Sequence, residues 1–291
     1  MTAPQVAGDR WDKNYDAWAH ESVVHFYATK RQTPQELYAS ERAILEPVVK
    51  RCRSLLDVGC GAGGFSEALR ALNPQLRYTG VDAVPAMIAE ARRRYPTVSF
   101  EISEGGRLPF SNGACDQVLC TSVLHHNPDY RSIIRELYRV ARVGCVVDLP
   151  RLVVPPYAFD ATTSYMVLKE RFITDTDARD ERSTVVPYVL ANPQPMFEFL
   201  LGLSPRPSAI AAVGYEGQPS PSVVIPIRPV CFCVIYVAKG DHGTRETRLL
   251  LDLPEPLVAE LRLRDVQRFP GGREAFTQLL DATHGEGDHA P

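Results

Sequence analysis

Short apolar runs alternate with amphipathic stretches between residues 54 and 149. Apolar runs of this length predict buried strands, and apolar positions with a period near 3.6 predict helices. The predicted strands cover residues 54–58, 76–81, 98–102, 115–121 and 143–149, and the predicted helices cover residues 64–72, 85–95 and 130–141. Strands and helices that alternate in this way form βαβ units around a parallel sheet. The pattern therefore predicts an α/β fold with a doubly wound sheet.

The alternation stops after the fifth predicted strand. Residues 151–200 predict two helices, at 164–173 and 196–203, before two more strands at 209–213 and 231–238. Links between neighbouring elements of such a sheet usually have about 2–6 residues. We therefore expect 151–200 to be a helical cap insertion that carries function. The four prolines within 214–229 predict a long ordered loop, because proline cannot donate to a sheet ladder.

Composition narrows the class of protein. The chain has 291 residues, a net charge of −3 and no long run of one sign, which argues against a nucleic-acid partner. Residues 1–10 lack the apolar core of a signal peptide, and no apolar run approaches the ~18 residues of a membrane span. Seven scattered cysteines then predict a cytoplasmic protein with free thiols. Cys231-x-Cys233 lacks a second pair, so we expect no metal.

A glycine-rich turn follows the first predicted strand. Gly59, Gly61 and Gly64 fit the G-x-G-x-x-G pattern, which is also typical of dinucleotide sites. Asp57 lies two positions before the first glycine, where its carboxylate would repel a pyrophosphate seated on the helix N-terminus. S-adenosylmethionine has no phosphate and carries an ammonium and a sulfonium. The acid beside the turn therefore favours S-adenosylmethionine over NAD as the cofactor.

Asp82 ends the second predicted strand, 23 positions after Gly59. An acid at this position accepts hydrogen bonds from both ribose hydroxyls of an adenosine cofactor. The alternative is that Asp82 caps the helix predicted at 85–95.

Four segments resemble the motifs of a known family. LLDVGCGAGGFS, GVDAVPAMIAEAR, GGRLPF and CDQVLCTSVLHH resemble, in order and spacing, the motifs of class I S-adenosylmethionine-dependent methyltransferases of the ubiquinone/menaquinone-biosynthesis, small-molecule type. The resemblance covers about residues 50–150. It implies a Rossmann-like, seven-stranded, mostly parallel sheet with an antiparallel last strand. We expect one methyltransferase domain over 1–240, with 1–50 as an N-terminal helical lid, and a C-terminal extension over 241–291.

The resemblance also implies a set of cofactor-binding residues. Asp57 and the glycines line the methionine end, Asp82 the ribose, and Ala83 and Met87 the adenine. Glu104 stands where the family usually has an aspartate that accepts from the adenine amine. The backbone after the fourth strand borders the methyl group. The full set is Asp57, Gly59, Cys60, Gly61, Asp82, Ala83, Met87, Glu104, Gly105, Cys120 and Thr121.

Methyl transfer from a sulfonium mainly requires alignment of the acceptor, and a general base only where the acceptor loses a proton. His125 and His126 follow the fourth strand at its ligand-binding end and are candidate bases. The alternative is that they only wall the cofactor pocket, as the HH pair often does in the family. His25 is a further candidate base.

The acceptor side is expected to come from the segments outside the core motifs. Tyr15 and Tyr27 are candidate lid residues, with core packing as the alternative, and Tyr165, Met166 and Phe172 are candidate acceptor contacts. The fourth strand lacks the Asn/Asp-Pro-Pro-Tyr/Phe tetrapeptide of nucleobase-amine methylation. We therefore expect a small-molecule acceptor that is methylated at O, N or C, in specialised metabolism, with the oligomeric state open and a homodimer as one alternative. The rival hypotheses are an RNA or protein methyltransferase, and a protein that binds S-adenosylmethionine without transferring its methyl group.

Overall fold

The computed structural model describes residues 15–168, 184–263, 268–269 and 273–283. Its helices are α1 (Glu21–Ala28), α2 (Ala39–Val49), α3 (Gly64–Leu72), α4 (Pro85–Arg94), α5 (Tyr130–Val140), α6 (Pro193–Leu201), α7 (Glu255–Ala259) and α8 (Arg273–Thr283). Its strands are β1 (Ser54–Val58), β2 (Arg77–Asp82), β3 (Ser99–Ile102), β4 (Cys115–Cys120), β5 (Ala141–Asp148), β6 (Arg151–Leu152), β7 (Tyr165–Leu168), β8 (Thr184–Pro187), β9 (Leu190–Ala191), β10 (Ala209–Gly217), β11 (Val223–Val224), β12 (Val230–Ala238), β13 (Arg248–Asp252) and β14 (Arg268–Phe269).

The central sheet has the order β14-β13-β10-β12-β5-β4-β1-β2-β3. Strands β1 to β5 pair in parallel, and β12 runs antiparallel to both of its neighbours, β5 and β10. The predicted mostly parallel sheet with an antiparallel last strand is therefore confirmed. The strand order reverses between β1 and β4, where open α/β sheets bind ligands at the carboxyl ends of their strands.

Helices pack on both faces of this sheet because its central strands are apolar on both sides. Leu55 faces one apolar cluster with α2 and α3, and Leu56 faces the other with α5. Helix α5 buries Ile134 and Leu137, which lie on the face that the periodicity predicts. Strands buried on both faces read as continuous apolar runs, which is why their positions could be predicted from the sequence.

The helix predicted at 164–173 is wrong over residues 165–168, and residues 169–173 lie outside the described ranges. Residues Tyr165–Leu168 form strand β7, in a three-stranded sheet of order β11-β7-β8. Met166 pairs with Val186 on one side and with Val223 on the other. Along β7, Met166 and Leu168 are buried while Tyr165 and Val167 are half-buried, so burial alternates with a period of two rather than 3.6. Strand β11 also shows that part of 214–229, predicted as loop, belongs to this sheet.

The insertion lies at the carboxyl edge of the central sheet, beside the histidine pair. The backbone N–H of Val189 donates to the carbonyl oxygen of His125 at 2.7 Å. The carbonyl oxygen of Pro187 lies 2.8 Å from Nδ1 of His126. The second predicted helix of the insertion is present as α6, Pro193–Leu201. The proposed cap thus contains strands of a small β-sheet followed by a helix, and it lies at the carboxyl edge of the central sheet.

The described part of 241–291 continues the same sheet. Strand β13 pairs in parallel with β10, and β14 pairs in parallel with β13. Helix α8 returns to α2, where Arg51 Nε and Asp281 Oδ1 are 2.9 Å apart. Strands β13 and β14 therefore add two strands, beside β10, to the seven that were predicted. Within the described ranges, no helix has the length and apolar composition needed to cross a bilayer.

We predict that the C-terminal strand is part of one cooperative folding unit. Leu249 in β13 is fully buried in the cluster that also contains residues of α5 and β5. Leu249→Ala should lower the free energy of unfolding by about 2–5 kcal/mol, because a buried leucine leaves a cavity. Urea unfolding followed by circular dichroism and tryptophan fluorescence measures this. The control Val224→Ala, at a side chain 42% exposed, should change it by less than about 0.5 kcal/mol. An unchanged midpoint for Leu249→Ala would contradict the prediction.

Candidate functional site

The glycine turn is shaped by left-handed backbone and by a close neighbour. Gly59, Gly61 and Gly63 have φ angles of +80°, +53° and +82°, which favour glycine. The backbone N–H of Gly59 donates to the carbonyl oxygen of Val81 at 2.8 Å, so the turn is tied to β2. A Cβ added at Gly59 would lie 2.2 Å from Cγ2 of Val123. Only glycine therefore lets the β1 turn approach the loop after β4 so closely.

Asp57 is buried inside the sheet directly before this turn. Its Oδ2 accepts a hydrogen bond of 2.5 Å from the hydroxyl of Tyr78 on the adjacent strand β2. Burial raises the pKa of Asp57 to about 7, and the bond from Tyr78 opposes the rise. A positive charge brought to this turn would stabilise the ionised carboxylate.

Asp82 joins the glycine turn to the start of α4. Its Oδ2 accepts from the N–H of Gly61 at 2.9 Å, and its Oδ1 accepts from the N–H of Val84 at 2.9 Å. Burial raises the pKa of Asp82, and these backbone donors oppose the rise. Each carboxylate oxygen has further lone-pair capacity, so the ribose role and the helix-start role are compatible. The ribose role stays a prediction.

The N-terminal segment covers this turn. Helix α1 packs Val23 and Tyr27 against Ala62 and Met87, with half-buried Tyr15 at the border of the same apolar cluster. Burial raises the pKa of the Tyr27 hydroxyl, and the charge of Asp82 adds to the rise. Both rings thus pack beside the glycine turn, and their role as lid residues stays a prediction.

The remaining predicted cofactor residues lie around the same edge. Met87 is buried below α1, and Ala83 is half-buried beside it. Glu104 is exposed after β3, where a Cβ at the following Gly105 would lie 3.3 Å from Cγ1 of Val58. Cys60, Cys120 and Thr121 are buried, and burial holds the pKa values of both thiols well above their ordinary value. Their contacts with a cofactor stay predictions.

Two ion pairs meet at Ser122, which follows β4 and has a φ angle of +60°. Nη2 of Arg31 lies 3.0 Å from Oγ of Ser122 and 2.8 Å from Oε1 of Glu41. On the other side, the N–H of Ser122 donates to Oδ2 of Asp148 at 3.3 Å, and Nη1 of Arg151 lies 2.9 Å from Oδ1 of Asp148. We call these five residues the Ser122 cluster. Burial raises the pKa of Glu41, and Arg31 opposes the rise.

Sequence reasoning missed the four charged members of this cluster. Asp148 ends β5 and could have been noticed as an acid at the carboxyl end of a predicted strand. Arg31, Glu41 and Arg151 lie in segments whose contact with Ser122 has no local signal.

His125 is engaged by the same arginine. Nη2 of Arg151 lies 3.1 Å from Nδ1 and 3.2 Å from Nε2 of His125. A guanidinium can only donate, so the imidazole lone pair is directed to Arg151. Burial lowers the pKa of His125 well below its ordinary value, and the charge of Arg151 adds to the effect. His125 is thus a neutral acceptor within the protein.

His126 has a different arrangement. Its Nδ1 lies 2.8 Å from the carbonyl oxygen of Pro187, which only accepts, so Nδ1 carries the proton and Nε2 keeps a lone pair. Trp18 packs on the ring with centroids 4.9 Å apart. Burial lowers the pKa of His126 to about 4. Of the two candidate bases, His126 is the one with a defined acceptor nitrogen, whereas His25 lies exposed on α1.

The predicted acceptor contacts of the cap differ in burial, and their contacts with an acceptor stay predictions. Met166 is buried in an apolar cluster with Val186 on β8 and Ala17 before α1. Tyr165 is half-buried on the alternate face, and Phe172 lies outside the described residues. Tyr188 instead reaches the site, where its hydroxyl accepts from Nε of Arg151 at 3.1 Å and its ring packs against His125 with centroids 5.4 Å apart.

We predict that His126 stays neutral, as the Nδ1–H tautomer, down to about pH 5. Its lowered pKa comes from burial, whereas a histidine in the unfolded chain titrates near 6.5. Long-range proton–nitrogen NMR correlations of the imidazole report both the tautomer and the titration. The same resonances in the urea-unfolded chain serve as the control. Titration of His126 near pH 6.5 in the folded protein would contradict the arrangement.

Comparisons with known proteins agree with this geometry. Residues 56–147 match the model of a methyltransferase domain family. Over 102 residues the chain is 37% identical to malonyl-[acyl-carrier protein] O-methyltransferase of Legionella pneumophila, covering 33% of this chain and 35% of that protein. Over 106 residues it is 31% identical to demethylmenaquinone methyltransferase of Deinococcus radiodurans, covering 35% of this chain and 44% of that protein. The chain thus spans less than half the length of these curated relatives.

Among solved structures, an S-adenosylmethionine-dependent methyltransferase from Thermotoga maritima superposes with a TM-score of 0.45 at 17% identity, covering 78% of this chain and all of that one. The matched residues 56–147 include the glycine turn and strand β4 of this chain. Over residues 56–147, the chain therefore carries a methyltransferase domain.

Proposed function

We propose that the protein transfers the methyl group of S-adenosylmethionine to an O, N or C atom of a small molecule. The observation that carries the proposal is the pair of carboxylates at the glycine turn, Asp57 and Asp82, at the switch point of the sheet. Both have raised pKa values because they are buried, so both gain from a ligand that brings positive charge or hydroxyl donors. A pyrophosphate would be repelled at the same place.

The residues present fit S-adenosylmethionine. Asp82 would accept from the ribose hydroxyls, Asp57 would lie beside the charged methionine end, and Met87 would flank the adenine. The left-handed glycines at 59, 61 and 63 keep side chains off the turn. When bound, the cofactor supplies an activated methyl group, whose bond to sulfur breaks as the bond to the acceptor atom forms.

The chain's own task is then to align the acceptor and exclude water. We propose 1–50 as the lid over the cofactor and 151–200 as the cap over the acceptor, within a domain over 1–240. Alignment of this kind contributes roughly 7–11 kcal/mol of barrier reduction. For an acceptor that must lose a proton, Nε2 of His126 receives it, and the carbonyl oxygen of Pro187 holds the imidazole in that tautomer. Such a base adds about 10²–10⁴-fold.

A small-molecule acceptor is supported by the cap and by the relatives. By their names, one relative is an O-methyltransferase of malonyl-[acyl-carrier protein] and another is a demethylmenaquinone methyltransferase, so the named acceptors differ. The shared domain therefore indicates the reaction, while the acceptor depends on the lid and the cap outside the matched residues.

We predict that the protein binds S-adenosylhomocysteine and does not bind NAD, as measured by isothermal titration calorimetry. Asp82→Ala should weaken binding of S-adenosylhomocysteine at least tenfold, because each charge-assisted hydrogen bond to a ribose hydroxyl contributes about 1.5–3 kcal/mol. Asp82→Asn, which keeps one acceptor oxygen, should lie between Asp82→Ala and wild type.

Thermal unfolding of the same variants controls for the loss of the bonds to Gly61 and Val84. Binding of NAD without binding of S-adenosylhomocysteine would overturn the proposed function. Turnover is tested separately, by mass-spectrometric detection of S-adenosylhomocysteine formed from S-adenosylmethionine with panels of phenols, amines and carboxylic acids. Binding without turnover on any panel would favour the alternative of a binding protein.

We predict that affinity for S-adenosylhomocysteine rises several-fold between pH 6 and pH 7.5. The pKa of Asp57 is about 7 because of burial, so its carboxyl is mostly protonated at pH 6 and mostly ionised at pH 7.5. Only the ionised form attracts the ligand's ammonium. Asp57→Asn should therefore remove most of this slope. An identical slope in Asp57→Asn would show that Asp57 does not face the ligand.

A further inference from the structure

The Ser122 cluster holds two arginines at the acceptor side of the site, and each is already paired with a carboxylate. Arg31 lies 2.8 Å from Glu41, and Arg151 lies 2.9 Å from Asp148. The side chains of Glu41, Asp148 and Arg151 are each at most 10% exposed. Water therefore does little to weaken either pair, and the charges of the pairs cancel locally.

The cluster is adjacent to the place where methyl transfer would occur. Ser122 comes directly after Thr121 at the carboxyl end of β4, and the next residue, Val123, touches the glycine turn at Gly59. Ser122 bonds to both ion pairs, through its Oγ to Arg31 and through its N–H to Asp148. An acceptor that approaches the donor over this loop would therefore meet both pairs.

Neither histidine adds a charge to this surface. Burial keeps both neutral, since it lowers the pKa of His126 to about 4 and holds the pKa of His125 well below its ordinary value. All three nitrogens of the Arg151 guanidinium are engaged, so an acceptor carboxylate that pairs with Arg151 would have to displace Asp148 and leave a buried carboxylate without its cation. Breaking a buried pair in this way is strongly unfavourable.

Aromatic rings surround the same cluster. Trp18 and Tyr188 pack around the histidines, and Tyr215 stacks on Phe232 with centroids 5.5 Å apart at 14°. The guanidinium of Arg151 lies 4.5 Å from the Phe232 ring centroid. Tyr215 on β10 pairs with Phe232 on β12, and its ring is 41% exposed. Aromatic side chains of this kind stack with planar rings.

We propose that the Ser122 cluster selects an uncharged aromatic acceptor, and that Asp148 is the residue that rejects carboxylates by occupying Arg151. The inference rests on the proposed function and adds the acceptor's charge class to it. Phenols and aromatic amines fit the class, since their rings stack on the aromatic wall and their hydroxyl or amino groups require no counter-ion.

The test uses 2-naphthol and 2-naphthoate, which share a ring system and differ in charge at pH 7.5. Binding of each probe to the protein saturated with S-adenosylhomocysteine is measured by calorimetry or by ligand-observed NMR. Wild type should bind naphthol at least tenfold more tightly than naphthoate. Asp148→Asn releases Arg151 and should shift that ratio at least tenfold toward naphthoate.

Asp281→Asn is the matched control. Oδ1 of Asp281 on α8 lies 2.9 Å from Nε of Arg51, at the packing contact with α2. Asp281→Asn therefore also releases an arginine, but the ratio of naphthol to naphthoate affinity should stay at its wild-type value. If thermal unfolding shows that Asp148→Asn does not fold, Glu41→Gln, which releases Arg31 instead, should shift the ratio in the same direction.

A wild-type protein that prefers naphthoate, or that binds no naphthol at millimolar concentration, would overturn the proposal. A ratio left unchanged by Asp148→Asn would overturn the role of Asp148. These outcomes are distinct from failure of the proposed function, which would appear as no binding of S-adenosylhomocysteine before either probe is added.

Discussion

The arrangement of the site depends on one buried arginine. Arg151 donates to Asp148 at the end of β5, to Tyr188 in the cap, and lies against the imidazole of His125 after β4. A buried guanidinium must satisfy its donors inside the protein, so these three elements are held in one relative position. Replacing such a pair by apolar residues is often neutral for stability, whereas removing one partner is costly. Arg151 therefore contributes mainly to the geometry and the charge of the site rather than to the stability of the fold.

Charge is distributed differently on the two sides of the loop after β4. On the glycine-turn side, Asp57 and Asp82 are buried acids with raised pKa values, and a cationic ligand relieves the cost of their burial. On the acceptor side, each acid is paired with an arginine within the chain. Ser122 follows β4 and separates the two environments, because Asp57 lies on β1 at one side of β4 and Asp148 lies on β5 at the other. One fold edge can therefore attract a charged donor while it offers an uncharged surface to the acceptor.

The segments outside the matched domain complete this edge. Helix α1 covers the glycine turn, and the cap supplies Pro187 and Tyr188 beside the histidines. The C-terminal strands have a different role, because β13 pairs with β10 and covers an edge that would otherwise expose unpaired backbone groups. The proposed lid and cap thus lie at the carboxyl edge of the sheet, and the additional strands lie at its lateral edge.

The sequence alone determined the elements whose signals are local. The buried strands, the helix periods, the glycine turn and the acids Asp57 and Asp82 were all readable because each depends on residues within one element or one turn. The resemblance over about 50–150 covered the part that the family model matches, and it implied the mostly parallel sheet with an antiparallel last strand. The roles of the individual cofactor residues stay predictions.

The tertiary structure decided the acceptor side. Arg31 and Ser122 are 91 positions apart, and His126 and Pro187 are 61 apart, so neither contact leaves a local pattern. The helix predicted at 164–173 was wrong because β7 is stabilised by partners at Val186 and Val223, which periodicity within the segment cannot register. Charges that cancel through long-range pairs look in the sequence like isolated polar residues. Which arginines hold a carboxylate, and which histidine nitrogen keeps its lone pair, is settled only when distant segments fold together, because those properties belong to contacts rather than to residues.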